Sequence, residues 1–162
     1  MEAAWDSRQL FALRFIYGSD DKAGWSVFHG DADTNGASRE KFMMESGERI
    51  TTLTSYVGTT EMFYADKLIT FVLGVRFGTN KGRSSRLFGS KIGEKKVETH
   101  DGCVFGYASG RAGSLIDQLQ VVWQNQGIPV PLDLITRAFL FLCRNGESQR
   151  GESFHSIVFR FA

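Results

Sequence analysis

The chain has 162 residues, 42% hydrophobic and 23% charged, with only two prolines; this suits one ordinary domain with a packed core and excludes an extended disordered chain. Nineteen basic against eighteen acidic side chains leave a formal charge of +1, so neither nucleic acid nor insertion into an acidic membrane is expected. The longest apolar run, Leu68 to Val75, is far short of the roughly 20 residues that cross a bilayer.

The chain opens with Met1-Glu2-Ala3-Ala4-Trp5-Asp6, which is acidic and lacks the basic-then-apolar pattern of a signal peptide. That points to the cytoplasm, or to secretion without such a peptide. From Leu10 to Tyr17 the residues Phe11, Leu13, Phe15 and Tyr17 share one face of a strand, and Arg14 interrupts the other. Trp25 to Phe28 reads as a short strand after a polar turn around Gly18 to Gly24, and Arg39 to Glu45 as one helical turn or two. Arg49 to Tyr56, Leu68 to Phe77, Arg86 to Phe88, Cys103 to Ala108 and Ile116 to Trp123 follow as strands rich in β-branched and aromatic residues. Asn35-Gly36, Asn80-Lys81-Gly82, Asp101-Gly102 and Asn145-Gly146 are turn signals that tolerate positive φ. Short strands at near-regular spacing predict an all-β barrel, sandwich or prism.

After Trp123 the composition changes. Both prolines, Pro129 and Pro131, fall just past Gln124 to Gly127, which marks a connector because proline is excluded from central strands. Residues 127–162 then read as a C-terminal β-hairpin, Ile135 to Cys143 and Phe154 to Phe161, packed on the preceding 1–126 domain or on a partner subunit.

Two cysteines, Cys103 and Cys143, make neither a disulfide framework nor a zinc site. Their apolar neighbours predict buried thiols, with a single bridge between the two as the alternative. The three histidines, His29, His100 and His155, are widely spaced, and no phosphate loop or serine elbow is present. No metal, cofactor or catalytic residue is therefore assigned, and the chain is not read as an enzyme. Lys81, Arg83, Arg86, Lys91, Lys95 and Lys96 form a basic cluster, read as a solvated hairpin in preference to a phosphate-contacting patch.

The segment Gly106 to Leu119 carries more information. Gly110 and Gly113 are followed by Ser114, Leu115, Ile116 and Asp117, a compact loop with an acid at the mouth of a strand. Its amides and the Asp117 carboxylate would converge where a pair of sugar hydroxyls needs donors and an acceptor together. An ordinary turn explains the same spacing.

At this point the residues resemble the jacalin-related lectins. Gly47-Glu48-Arg49-Ile50 through Gly58, Val75 to Arg83 with Thr79-Asn80-Lys81, Leu87-Phe88-Gly89 with Gly93, and Gly106-Tyr107 through Leu119 match that family's motifs in order. The jacalin-like heads of aerolysin-type pore-forming proteins share the stretch Gly110 to Asp117. The resemblance implies a β-prism of three antiparallel sheets with an extra C-terminal hairpin. It implies a lectin for mannose- or glucose-type glycans, with glycans or glycoproteins as partners and room for a homo-oligomer. By the same resemblance Asp117 is the main acceptor, the Ser114 and Leu115 amides are donors, and Gly113 shapes the loop. Thr59 to Lys67 matches a neighbouring loop on which Met62, Phe63 and Tyr64 would face the sugar ring. Trp5-Asp6 resembles the pair that follows the family's N-terminal glycine-rich loop. That loop has no match here, so that half of the site is expected either to be absent or to be supplied by Gly18, the Asp31 to Gly36 turn or the C-terminal hairpin. The alternative function is a β-prism interaction or membrane-targeting module that has lost sugar binding.

Overall fold

Phe15, Phe77 and Phe105 are remote in sequence, yet their rings meet: Phe15 lies 6.3 Å from Phe77 and 5.6 Å from Phe105, and Phe77 lies 6.3 Å from Phe105. Edge-on and offset contacts of this kind are the favoured aromatic geometries. In the computed structural model, which describes residues 1–17, 24–61, 68–125 and 155–158, each of the three rings comes from a different sheet or the residue next to it. Among the described residues there are thirteen strands and no helix.

The first sheet places β1 (Glu2–Trp5) between β2 (Leu10–Arg14) and β6 (Ser38–Lys41), with β5 (His29–Gly30) outside β2. A two-stranded ribbon, β3 (Ile16–Tyr17) with β4 (Gly24–Trp25), continues from it. The second sheet has the order β10 (Glu94–Thr99), β7 (Ile50–Glu61), β8 (Leu68–Thr79), β9 (Phe88–Gly89). The third has β11 (Cys103–Ala112) between β12 (Ile116–Asn125) and β13 (His155–Val158). The pairings within these sheets are antiparallel, and the core lies where the three sheets converge. Trp5 and Leu13 from the first, Leu53, Val75, Phe77 and Phe88 from the second, and Phe105, Ala108 and Ile116 from the third are buried in one cluster. The expected all-β prism of three antiparallel sheets is what the chain forms.

Several expectations are corrected. The acidic opening is a strand in the middle of a sheet. Glu2 stands opposite Arg14 in the β1–β2 register, and Arg14 donates to its carboxylate from Nη2 at 2.6 Å and from Nε at 2.9 Å. The pair makes burial of an acid tolerable, while Ala3 and Ala4, both fully buried, fit where the sheet is covered. Arg14 also lies 4.7 Å from the Trp25 ring and 4.3 Å from that of Phe28, so the residue that interrupts one face of the strand ties three segments together.

Arg39 to Glu45 is not helical, because Ser38–Lys41 pairs with β1 along its whole length. Of Trp25 to Phe28 only Trp25 is in a strand. The charged run Glu94 to Thr99, not singled out as a strand by apolar alternation, pairs with β7 from Val57 to Thr52; it is an outer strand with mostly exposed side chains, the place where charge is tolerated and where the solvated-hairpin reading of Lys95 and Lys96 puts it. Cys103 is half-buried rather than buried, is a free thiol, and its Sγ lies 3.1 Å from Asn125 Oδ1. Ile135 to Cys143 lies outside the described residues. The four residues of β13 pair with Ser109 to Ala112.

Candidate functional site

The loop singled out by its spacing joins β11 to β12 and consists of Gly113, Ser114 and Leu115. Its two strands do not run in simple register. Arg111 pairs with Gln118 and Ala112 with Ile116, so Asp117 is the extra residue of a β-bulge. A bulge bends its strand and re-aims a side chain, and the extra residue of this one is the acid expected to bind. Asp117 is half-buried, while Gly113 and Ser114 are exposed. Asp117 stands one position after Ile116 at the start of β12, and Ser114 lies in the exposed part of the loop before it.

Leu115 anchors the loop. Its side chain is only 4% exposed and packs in a cluster with Ala4, Phe11, Ala12, Phe71 and Leu73. Phe71 pairs with Gly58 near the end of the β7–β8 hairpin, so Leu115 joins the loop to that hairpin. The expected contribution of Leu115 is therefore limited to its backbone. The Gly113 N–H donates to the Leu115 carbonyl at 3.0 Å, which closes the loop on itself and occupies that amide. Phe63 and Tyr64, with Met62, lie outside the described residues. Phe71 supports the site without having been expected to. Its signal in the sequence is its place beside Leu73 in the apolar stretch that follows the hairpin loop.

The basic cluster is largely consumed within the protein. Arg83 Nη1 lies 2.7 Å from Glu48 Oε2 and 3.1 Å from Glu45 Oε1, Arg86 Nη1 lies 3.1 Å from Glu40, and Lys96 Nζ lies 3.9 Å from Glu94. Lys81 Nζ donates to the Ser46 carbonyl at 2.8 Å. The Thr79-Asn80-Lys81 motif is the centre of this brace. Asn80 Oδ1 accepts from the Arg49 amide at 2.8 Å, its Nδ2 donates to the Gly47 carbonyl at 3.3 Å, and Thr79 Oγ1 donates to Glu48 Oε1 at 2.7 Å. Glu48 also accepts from the Glu45 amide at 2.7 Å. These hydrogen bonds, first the backbone one and then that of Thr79, outweigh desolvation and hold the Glu48 carboxyl below its ordinary value. The motif that carries much of the resemblance is structural.

Comparison with known proteins agrees with this architecture. The model of the family described as "Jacalin-like lectin domain" matches residues 5–122. Among solved structures, the lectin MPA complexed with T-antigen disaccharide superposes with a TM-score of 0.64 at 20% identity, over 76% of this chain and 88% of that one. Artocarpin complexed with methyl-α-mannose gives 0.61 at 18%, over 76% and 80%. AcmJRL, a mannose-binding jacalin-related lectin from Ananas comosus, gives 0.59 at 19%, over 76% and 81%. At such identities the likeness is one of fold. No curated protein matches the chain in sequence.

Proposed function

The chain belongs to the jacalin-like lectin domain family, a family of carbohydrate-binding domains, and from that premise we propose that the loop Gly113 to Asp117 is its monosaccharide site, with a preference for mannose- or glucose-type glycans. The observation that carries this reading is the bulge: Gln118 and Ile116 pair with the adjacent positions Arg111 and Ala112, and Asp117 is the extra residue between them. A carboxylate placed this way beside an exposed Ser114 accepts hydroxyl protons while loop amides donate to the same oxygens. The mannose preference is supported by artocarpin with methyl-α-mannose and by AcmJRL; the MPA complex with T-antigen disaccharide makes galactose-type sugars the natural counter-test. The role is binding without catalysis. One shallow site gives weak affinity, so tight attachment to a glycan surface comes from several sites acting together.

The alternative reading, an interaction module that has lost sugar binding, is favoured by one observation: the Gly113 amide is spent on the Leu115 carbonyl. A glycan array probed with the intact protein decides between them. Retention on mannose-terminated glycans, lost on Asp117→Asn substitution, supports the lectin reading. Absence of binding to every arrayed glycan supports the module.

A further inference from the structure

The turn between β5 and β6 carries Asn35-Gly36, a pair that the sugar site leaves unused. The Ala37 N–H donates to the Thr34 carbonyl at 3.1 Å and closes a turn with Asn35 and Gly36 at its centre. Both central residues are exposed. Gly36 has φ near +81°, and a Cβ placed on it would meet no atom within 4 Å. The tip of the turn therefore stands clear of the body and can be reshaped without displacing packed atoms.

The flank of the turn is held. The Asp33 N–H donates to Asp31 Oδ1 at 3.0 Å, Thr34 Oγ1 donates to the Asp31 carbonyl at 3.2 Å, and Arg39 Nη2 donates to Asp33 Oδ1 at 2.6 Å and to the Ala32 carbonyl. At the tip the reverse holds: among the described residues, none bonds the Asn35 side chain or the Gly36 amide. Two other asparagines make the contrast. Asn80 has both ends of its carboxamide engaged, with the Arg49 amide and the Gly47 carbonyl, and is followed by lysine. Asn125 Oδ1 lies 3.1 Å from Cys103 Sγ.

An unheld carboxamide followed by glycine is open to attack by the next backbone nitrogen, because glycine has no Cβ to crowd the approach and its backbone turns freely. The Gly36 nitrogen loses its proton and bonds to Asn35 Cγ; the Cγ–Nδ2 bond breaks, and the side-chain nitrogen leaves as ammonia. Water then opens the cyclic imide. Addition at Cγ gives aspartate, and addition at the Asn35 backbone carbonyl gives isoaspartate, in which the main chain runs through the side-chain carbon. Water is the sole co-reactant, and no electrons are exchanged.

We propose that Asn35 is a site of spontaneous deamidation, at which the chain converts an exposed turn into an isoaspartyl link bearing a new carboxylate. The change offsets the formal charge of +1 and adds an acid beside Asp31 and Asp33. The isoaspartyl link also lengthens the backbone by a methylene between Thr34 and Ala37. Ala37 packs against the cluster that holds Leu115, and the next residue, Ser38, opens β6 opposite Trp5. Turn geometry fixes the register of the strand it feeds, so the lengthening is carried to the edge of the first sheet.

The test is peptide mapping by mass spectrometry of the full chain held in warm, mildly alkaline buffer, with isoaspartate counted by enzymatic methyl transfer. The expected result is an acid-shifted species on ion exchange, with residue 35 converted ahead of Asn80 and Asn125 and isoaspartate exceeding aspartate there. Gly36→Ala, which places a Cβ beside the attacking nitrogen, should slow the conversion at least about tenfold. Asn35→Asp carries the charge without the added methylene, so it should keep the wild-type thermal midpoint while the isoaspartyl form melts lower. An Asn35 that stays amidated while Asn80 or Asn125 converts, or that converts as fast in Gly36→Ala as in the wild type, overturns the site. Equal midpoints for the isoaspartyl form and Asn35→Asp overturn its transmission to β6. Should Gly36→Ala fail to fold, the order of conversion among the three asparagines of the wild type decides the matter.

Discussion

Glu48 accepts a hydrogen bond from Thr79 Oγ1 at 2.7 Å across 31 positions of sequence, and its side chain is shut away from solvent. Removing its charge while keeping its shape is expected to leave Arg83 and the Glu45 amide with a poorer acceptor. Glu48→Gln should therefore lower the thermal midpoint at neutral pH, read by circular dichroism, without changing the strand content.

The same residue sets an acid limb. Its folded carboxyl titrates below the ordinary 4.5, so its contribution is complete above that value and is lost as pH falls through the lower folded value. Wild-type stability should therefore fall with acidification below about pH 4.5 more steeply than that of Glu48→Gln, as measured by urea unfolding at a series of pH values. Parallel acid limbs would show that the Glu48 carboxylate has no such role.

Asp117→Asn tests the loop. The substitution is nearly isosteric and lies at a half-buried bulge, so stability should change by no more than about 1 kcal/mol. Binding to mannose-type glycans should fall at least about tenfold, measured by titration calorimetry. A large loss of midpoint with binding retained would make the acid a brace for its own loop.

Leu115→Ala separates packing from contact. The side chain is buried against Phe71 and Leu73, and its truncation should cost about 2–5 kcal/mol. Glycan binding should weaken because the loop loses its anchor, and it should recover in Leu115→Met, which refills the space.

Gly89→Ala probes the tight approach of β9 to β8. Gly89 has φ near +96°, and a Cβ there would overlap the Leu73 carbonyl oxygen. Strain of about 1–3 kcal/mol is expected for the backbone angle alone, with more for the overlap. Denaturant unfolding should show a loss at or above the upper end of that range, whereas Gly113→Ala, with open space around it, should be far milder.

The fold class was legible because its signals are local. Alternating apolar residues, β-branched runs and turns such as Asn35-Gly36, Asn80-Lys81-Gly82 and Asp101-Gly102, whose glycines all adopt positive φ, report on backbone preferences of a few residues at a time. The family motifs were legible for the same reason, although Thr79-Asn80-Lys81 proved to brace the fold.

What only the tertiary structure decided depends on partners distant in sequence. Glu2 lies in a central strand because Arg14 compensates its charge, and Ser38–Lys41 is a strand because β1 offers it an edge. Neither partner is visible in the residue's own neighbourhood. The sequence by itself placed Asp117 at the mouth of a strand. The register that makes it a bulge, the burial of Leu115 on Phe71, and the spending of the Gly113 amide arise from how β11, β12 and β8 meet, and pairing geometry between strands is set by packing rather than by local preference.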